Sequence, residues 1–70
     1  MTTTQQTAGQ RIRAAREAAG LSREKLARLV DCTAASIVRW ELDTNLPKLS
    51  MALALSKELN IPIEYLCGGK

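Results

Sequence analysis

Residues 21–41 read LSREKLARLVDCTAASIVRWE, and the way this stretch divides decides the fold. Ser22 and Thr33 each precede a short apolar-periodic run, where a hydroxyl can accept a bond from one of the free N–H groups that open a helix. The first run predicts a helix from Ser22 to Val30 with Leu26, Ala27 and Val30 on its inner stripe. Its capping box is incomplete, because Lys25 stands where Glu or Gln would close it. Val30-Asp31-Cys32 is a tight turn, and Asp31 suits it because Asp tolerates positive φ better than most non-glycine residues. The second run predicts a helix from Thr33 to near Leu42.

That second helix has two faces. With Ala34 at zero and about 100° per residue, Ile37 falls near about 300° and Trp40 near about 240°. These two point into a core, with Glu41 at the edge. Ala35, Val38, Arg39 and Leu42 lie between about 40° and about 140° on the same count. A solvated helix carries charge on its outer face, and this one is small or apolar there apart from Arg39. It is either buried all round or a contact surface. Small residues let a helix backbone approach closely, methyl groups pack on thymine methyls, and one Arg can bond guanine bidentately in a major groove.

Outward from this pair, Thr7 and Gln10 fit a capping box for a helix reaching Ala19. Ile12, Ala15 and Ala19 form its expected inner face, Arg11, Arg13 and Glu17 its outer one, and Gly20 its left-handed stop. Residues 43–47 are turn formers ending in Pro47. A fourth helix is expected over 49–59 with Leu49, Ala52, Leu53, Ser56 and Leu59 inward and Asn60 as its cap. Residues 61–66 give a short fifth helix opened by Pro62. The organisation expected is a disordered tail over 1–6, one domain over 7–67, and a frayed end or linker start over 68–70. The class is all-α, a compact bundle of five short helices.

Seventy residues, 46% hydrophobic, suffice for one small core. With two aromatic residues, Trp40 and Tyr65, an RNA-stacking platform of several rings is excluded. The net charge of +3 lies in residues 1–48, where eight Lys/Arg face five Asp/Glu, while residues 49–70 balance two against two. That distribution suits contact with a few phosphates. The chain has no His, and Cys32 and Cys67 lack metal-ligand spacing, which argues against a metal site and a His-based triad. Reduced thiols in a cytoplasmic protein are the expected state, with a Cys32–Cys67 disulfide left open by sequence. No apolar run reaches the roughly 18 residues of a membrane span, and none resembles a signal peptide.

The markers Arg16, Gly20-Leu21-Ser22, Leu26-Ala27, Ile37, Arg39-Trp40-Glu41, Pro47, Leu53, Leu59 and Ile63-Glu64-Tyr65-Leu66 occur at a joint spacing that resembles the phage-repressor (Cro/CI-type, XRE-like) helix-turn-helix family, over roughly residues 9–67. The resemblance implies a third helix inserted into the DNA major groove. It implies that Thr33, Ala34, Ala35, Ser36 and Arg39 face base edges or adjacent phosphates, and Val38 shares that face. It also implies that Arg23, where Gln is frequent, meets a phosphate, and that Thr44, Asn45 and Lys48 touch the backbone. Arg16 and Glu41 are implied as a partly buried ion pair. Positions 31, 43 and 60, which often hold Gly in the family, are here Asp31, Asp43 and Asn60, and Asp43 puts negative charge near the backbone-contact loop.

The expectation is therefore a sequence-specific DNA-binding transcriptional regulator, a prokaryotic or phage repressor. It would bind double-stranded DNA as a homodimer on a two-fold operator, with dimer contacts from the fourth and fifth helices or the C-terminal end. Ile63, Tyr65 and Leu66 are the candidates, though core packing suits Ile63 and Leu66. A protein-interaction module of antitoxin type is the alternative, since the apolar outer face would also fit a protein partner. No cofactor, metal or catalytic residue is expected, because no paired carboxylates, nucleophile–base set or phosphate-binding Gly loop is present.

Overall fold

The computed structural model describes residues 6–66. Residues 1–5 of the tail predicted over 1–6, the C-terminal end predicted over 68–70 and Cys67 lie outside them, and with Cys67 the question of its pairing with Cys32. Five helices follow one another: α1 Ala8–Ala18, α2 Arg23–Leu29, α3 Ala34–Glu41, α4 Leu49–Leu59 and α5 Ile63–Leu66. Among the described residues there is no strand, and no helix is long and apolar enough to cross a membrane.

Local chemistry sets the helix starts. The Thr7 hydroxyl accepts from Gln10 N at 3.1 Å, and the Gln10 side chain accepts from Thr7 N at 2.9 Å, a complete capping box. Ser22 caps α2 through Lys25 N, and Thr33 caps α3 through Ser36 N. The stops are equally regular. Gly20, Asp31, Asp43 and Asn60 all have φ between 58° and 73°. After each of the first three, the next N–H reaches back a full turn, as from Leu21 to Arg16 O, Cys32 to Ala27 O and Thr44 to Arg39 O. These are Schellman closures, which satisfy carbonyls that would otherwise end the helix unpaired.

The core is Ile12, Leu26, Ala27, Val30, Ile37, Trp40, Leu55, Leu59 and Leu66. α1 packs on α3 and α5, α2 on α3, and α4 on α5, so α3 is held from both sides. Gly9 makes the closest crossing. A Cβ there would stand 2.3 Å from Trp40 O and 2.6 Å from Glu41 O, so only glycine lets α1 approach the end of α3.

Three expected faces are corrected. Ala19 is exposed because it is the cap beyond the last turn of α1. Arg11 is half-buried, its guanidinium 5.0 Å over the Tyr65 ring and donating to Tyr65 O at 3.0 Å; it pins α5 to α1. On α4 the buried residues are Ala52, Leu55 and Leu59, while Leu49 and Leu53 are 69% and 52% exposed. Seven of the eleven α4 residues are apolar, so its periodicity fits more than one rotation, and packing selects the arc of about 60° holding Ala52, Leu55 and Leu59. Ser56 is half-buried, with its hydroxyl donated to Ile61 O. Leu66 is buried and Ile63 half-buried, while Tyr65 is exposed and donates its hydroxyl to Gln6 at 3.2 Å.

Asp43 has a further part. Its carboxylate accepts from Gly9 N at 2.9 Å and from the Thr7 hydroxyl, tying the start of α1 to the end of α3. The two left-handed aspartates should therefore respond oppositely to glycine. Asp31→Gly relieves a strained φ and removes negative charge from the C-terminal end of α2, and should raise stability by up to about 1 kcal/mol. Asp43→Gly gains the same freedom but loses two charge-assisted bonds, and should lower it by about 1–2 kcal/mol net. Gly9→Ala, which drives a methyl into backbone, should cost about 1–3 kcal/mol. Urea unfolding midpoints of the three variants check all of these.

Candidate nucleic-acid interface

The outer face of α3 is open. Ala35 and Arg39 are exposed, Val38 is 36% and Leu42 70% exposed, and Ile37, Trp40 and Glu41 are buried on the opposite side. The helix is thus two-faced and not buried all round. Ala34 and Ser36 are half-buried at its start. Thr33 is exposed, but its hydroxyl is engaged by Ser36 N and lies 3.1 Å from the Ser36 hydroxyl. Arg39 makes no side-chain hydrogen bond or ion pair among the described residues, so its guanidinium is available to a ligand.

Beside this face runs a groove of about 400 Å³ lined by Ser36, Asn45, Lys48, Ser50 and Cys32 among others. It brings the first turn of α3 together with the α3–α4 loop. Thr44, Asn45 and Lys48 are all exposed there, and the Thr44 N–H is spent on Arg39 O. Burial and then the Asp31 carboxylate push the Cys32 thiol up from its usual range, and it donates weakly to Thr33 O at 3.6 Å. It is a neutral thiol in the groove wall and a poor nucleophile.

α3 is fixed in place by charge. Glu41, with 2% of its side chain exposed, accepts from Arg16 Nε at 2.6 Å and from Arg16 Nη2 at 3.4 Å. It also accepts from Arg23 Nε at 2.9 Å. Arg16 Nη1 donates to Leu21 O at 2.8 Å, so α1, the α1–α2 turn, α2 and α3 meet at one carboxylate. The Arg23 link was not anticipated: nothing local connects residues 18 positions apart, and only the buried state of Glu41 calls for a second cation. Arg23 is 40% exposed in its side chain and uses Nε alone, which leaves both terminal nitrogens without a partner among the described residues.

Comparison with known proteins places this arrangement. A family model described as Helix-turn-helix matches residues 12–66. No curated protein sequence matches the chain. The P22 c2 repressor in complex with a synthetic operator superposes with a TM-score of 0.88 at 34% identity, covering 93% of this chain and 98% of that one. The DNA-binding domain of the P22 c2 repressor in solution gives 0.85 at 33% identity, covering 96% and 88%. The restriction-modification controller protein C.AhdI from Aeromonas hydrophila gives 0.78 at 34% identity, covering 84% and 89%.

The two arginines on Glu41 should differ in weight. Glu41→Ala leaves the buried Arg16 with only its long 3.9 Å pairing to Glu17 and should cost about 3–5 kcal/mol. Arg23→Ala, at a half-exposed site with Arg16 still holding Glu41, should cost at most about 1 kcal/mol. Chemical denaturation of the two variants decides it, and equal losses would show that Arg23 is as deeply committed as Arg16.

Proposed function

This chain belongs to the helix-turn-helix family, and we propose that it is a DNA-binding transcriptional regulator, a prokaryotic or phage repressor acting in the cytoplasm. Residues 7–67 are its binding domain. The observation that carries the reading is the outer face of α3, exposed, narrow and free of charge except for an unengaged Arg39. The likeness to a repressor solved with its operator supports it. α3 enters the major groove, with Thr33, Ala34, Ala35, Ser36 and Val38 presenting small groups to base edges and Arg39 bonding guanine. Thr44, Asn45 and Lys48 approach the phosphates on the groove side. Arg23 does so with the terminal nitrogens that Glu41 leaves unused.

So few base contacts call for two copies on a two-fold operator, with half-sites one helical turn apart. Chemistry on a substrate has no part in this reading. Exposed Val38 and Leu42 on the same face favour a protein partner as the second reading. Salt separates the two, because phosphate contacts release counterions and weaken steeply as salt rises, and an apolar protein contact does not.

Selection from random oligonucleotides with the purified chain, followed by salt titration, is the direct test. In the selected site, Arg39→Ala should cost about 1–3 kcal/mol and relax preference at one base pair. Unchanged selectivity would remove Arg39 from base reading, and failure to select any DNA would remove the function itself.

A further inference from the structure

We propose that Glu41 is a positioning residue for DNA binding: its buried carboxylate holds Arg23 by Nε, so that the far end of the guanidinium, Nη1 and Nη2, stands ready for a backbone phosphate. This role rests on the DNA-binding reading above and deepens it, since part of the phosphate contact falls to a side chain that is only 2% exposed.

The two arginines on Glu41 are used differently. Arg16 commits its whole guanidinium inside the protein, with Nε and Nη2 donating to Glu41 and Nη1 to Leu21 O. Its side chain is 9% exposed. Arg23 donates through Nε alone, to Glu41 Oε1 at 2.9 Å, and its side chain is 40% exposed. Arginine presents its N–H donors in a planar fork, and those on Arg23 Nη1 and Nη2 have no partner among the described residues. Paired N–H groups of this kind match two oxygens of a phosphate. A lysine could not serve in this way, because a single ammonium cannot face a carboxylate on one side and a phosphate on the other in a fixed plane.

Charge favours the same division. One carboxylate shared by two guanidiniums leaves one positive charge in excess. Arg16 is buried, so the excess surfaces at Arg23. Glu17, the other acid beside the cluster, lies 3.9 Å from Arg16 and pairs with Arg13 at 3.1 Å, so it does not neutralise Arg23. A side chain that is already fixed gives up little further rotamer freedom on binding, which is the advantage of a preorganised contact over a mobile one. The contact is to the DNA backbone, so the gain is the same for every sequence.

Nitrogen NMR of the arginine Nε–Hε groups in the full chain tests the holding before DNA is added. The Arg23 Nε signal should be as ordered as the backbone, while that of Arg39, which has no partner among the described residues, should be averaged. An averaged Arg23 signal overturns the proposal. On the selected site, Arg23→Lys keeps the charge and loses the fork. Affinity should then fall about 2–12-fold per copy, the net value of one hydrogen bond, on every sequence and with the salt slope unchanged. Affinity equal to that of the unaltered chain means that Arg23 supplies charge alone, and overturns the role of Glu41. Glu41→Gln should weaken binding by a similar factor, and should not weaken it further in the Arg23→Ala background. An equal loss in both backgrounds makes Glu41 purely structural and overturns its positioning role. If Glu41→Gln does not fold, the Arg23 signal and Arg23→Lys decide. If the unaltered chain selects no DNA, the functional reading fails and this role with it; the contrary outcomes named above, on a chain that does bind DNA, overturn this role alone.

Discussion

One buried carboxylate organises this molecule. Glu41 stands in the last turn of α3 and draws a guanidinium from α1 and another from α2. A charge taken out of water is costly unless its lone pairs are met by donors, and here both oxygens are bonded. Such a cluster adds less net stability than its short distances suggest, since apolar replacements of buried pairs often stabilise a protein. Its effect is on geometry. Helices α1 and α2 cannot slide along α3 without parting from an acid that has no access to water. The roll of α3 is set separately, by Ile37 and Trp40 in the core. Together they aim Ala35, Val38 and Arg39 outward.

The same end of α3 is secured a second time, through backbone. Gly9 allows α1 to touch the carbonyls of Trp40 and Glu41, and Asp43, one residue past the cap of α3, returns its carboxylate to Gly9 N and Thr7. The negative charge that could have hindered the α3–α4 loop from meeting phosphates is thus turned toward the positive end of a helix, where it is favourable. α1 is therefore more than a lid on the core. It is the strut against which the recognition helix is braced.

What was legible in the sequence is what local chemistry decides. Thr7 and Gln10, the hydroxyl caps at Ser22 and Thr33, the left-handed residues Asp31 and Asn60, and the two faces of α3 all follow from interactions within a few positions. The rotation of α4 did not, because leucine and alanine stand on most of its circumference and only the packed neighbours choose among them. Nor did Arg11 over Tyr65, Asp43 on α1, or Arg23 on Glu41. Each joins residues distant in the chain, and in each a polar side chain that reads as solvated is recruited by a partner that folding delivers. The Arg16–Glu41 pair came from the family resemblance and not from composition or spacing.

These recruitments change what the net charge means. Residues 1–48 hold eight cations, but Arg16 and Arg23 are committed to Glu41, Arg13 to Glu17, and Arg11 to Tyr65. Lys25, Arg28, Arg39 and Lys48 have no side-chain partner among the described residues and are left to act on a polyanion. Four of these eight cations thus help build the fold, and the other four, together with the terminal nitrogens of Arg23, are unengaged among the described residues. The face proposed to read bases carries one arginine among alanines, valine and hydroxyls, which can offer few hydrogen bonds to base edges. In the proposed mode of binding, much of the selectivity then comes from groove shape and from the spacing of two copies.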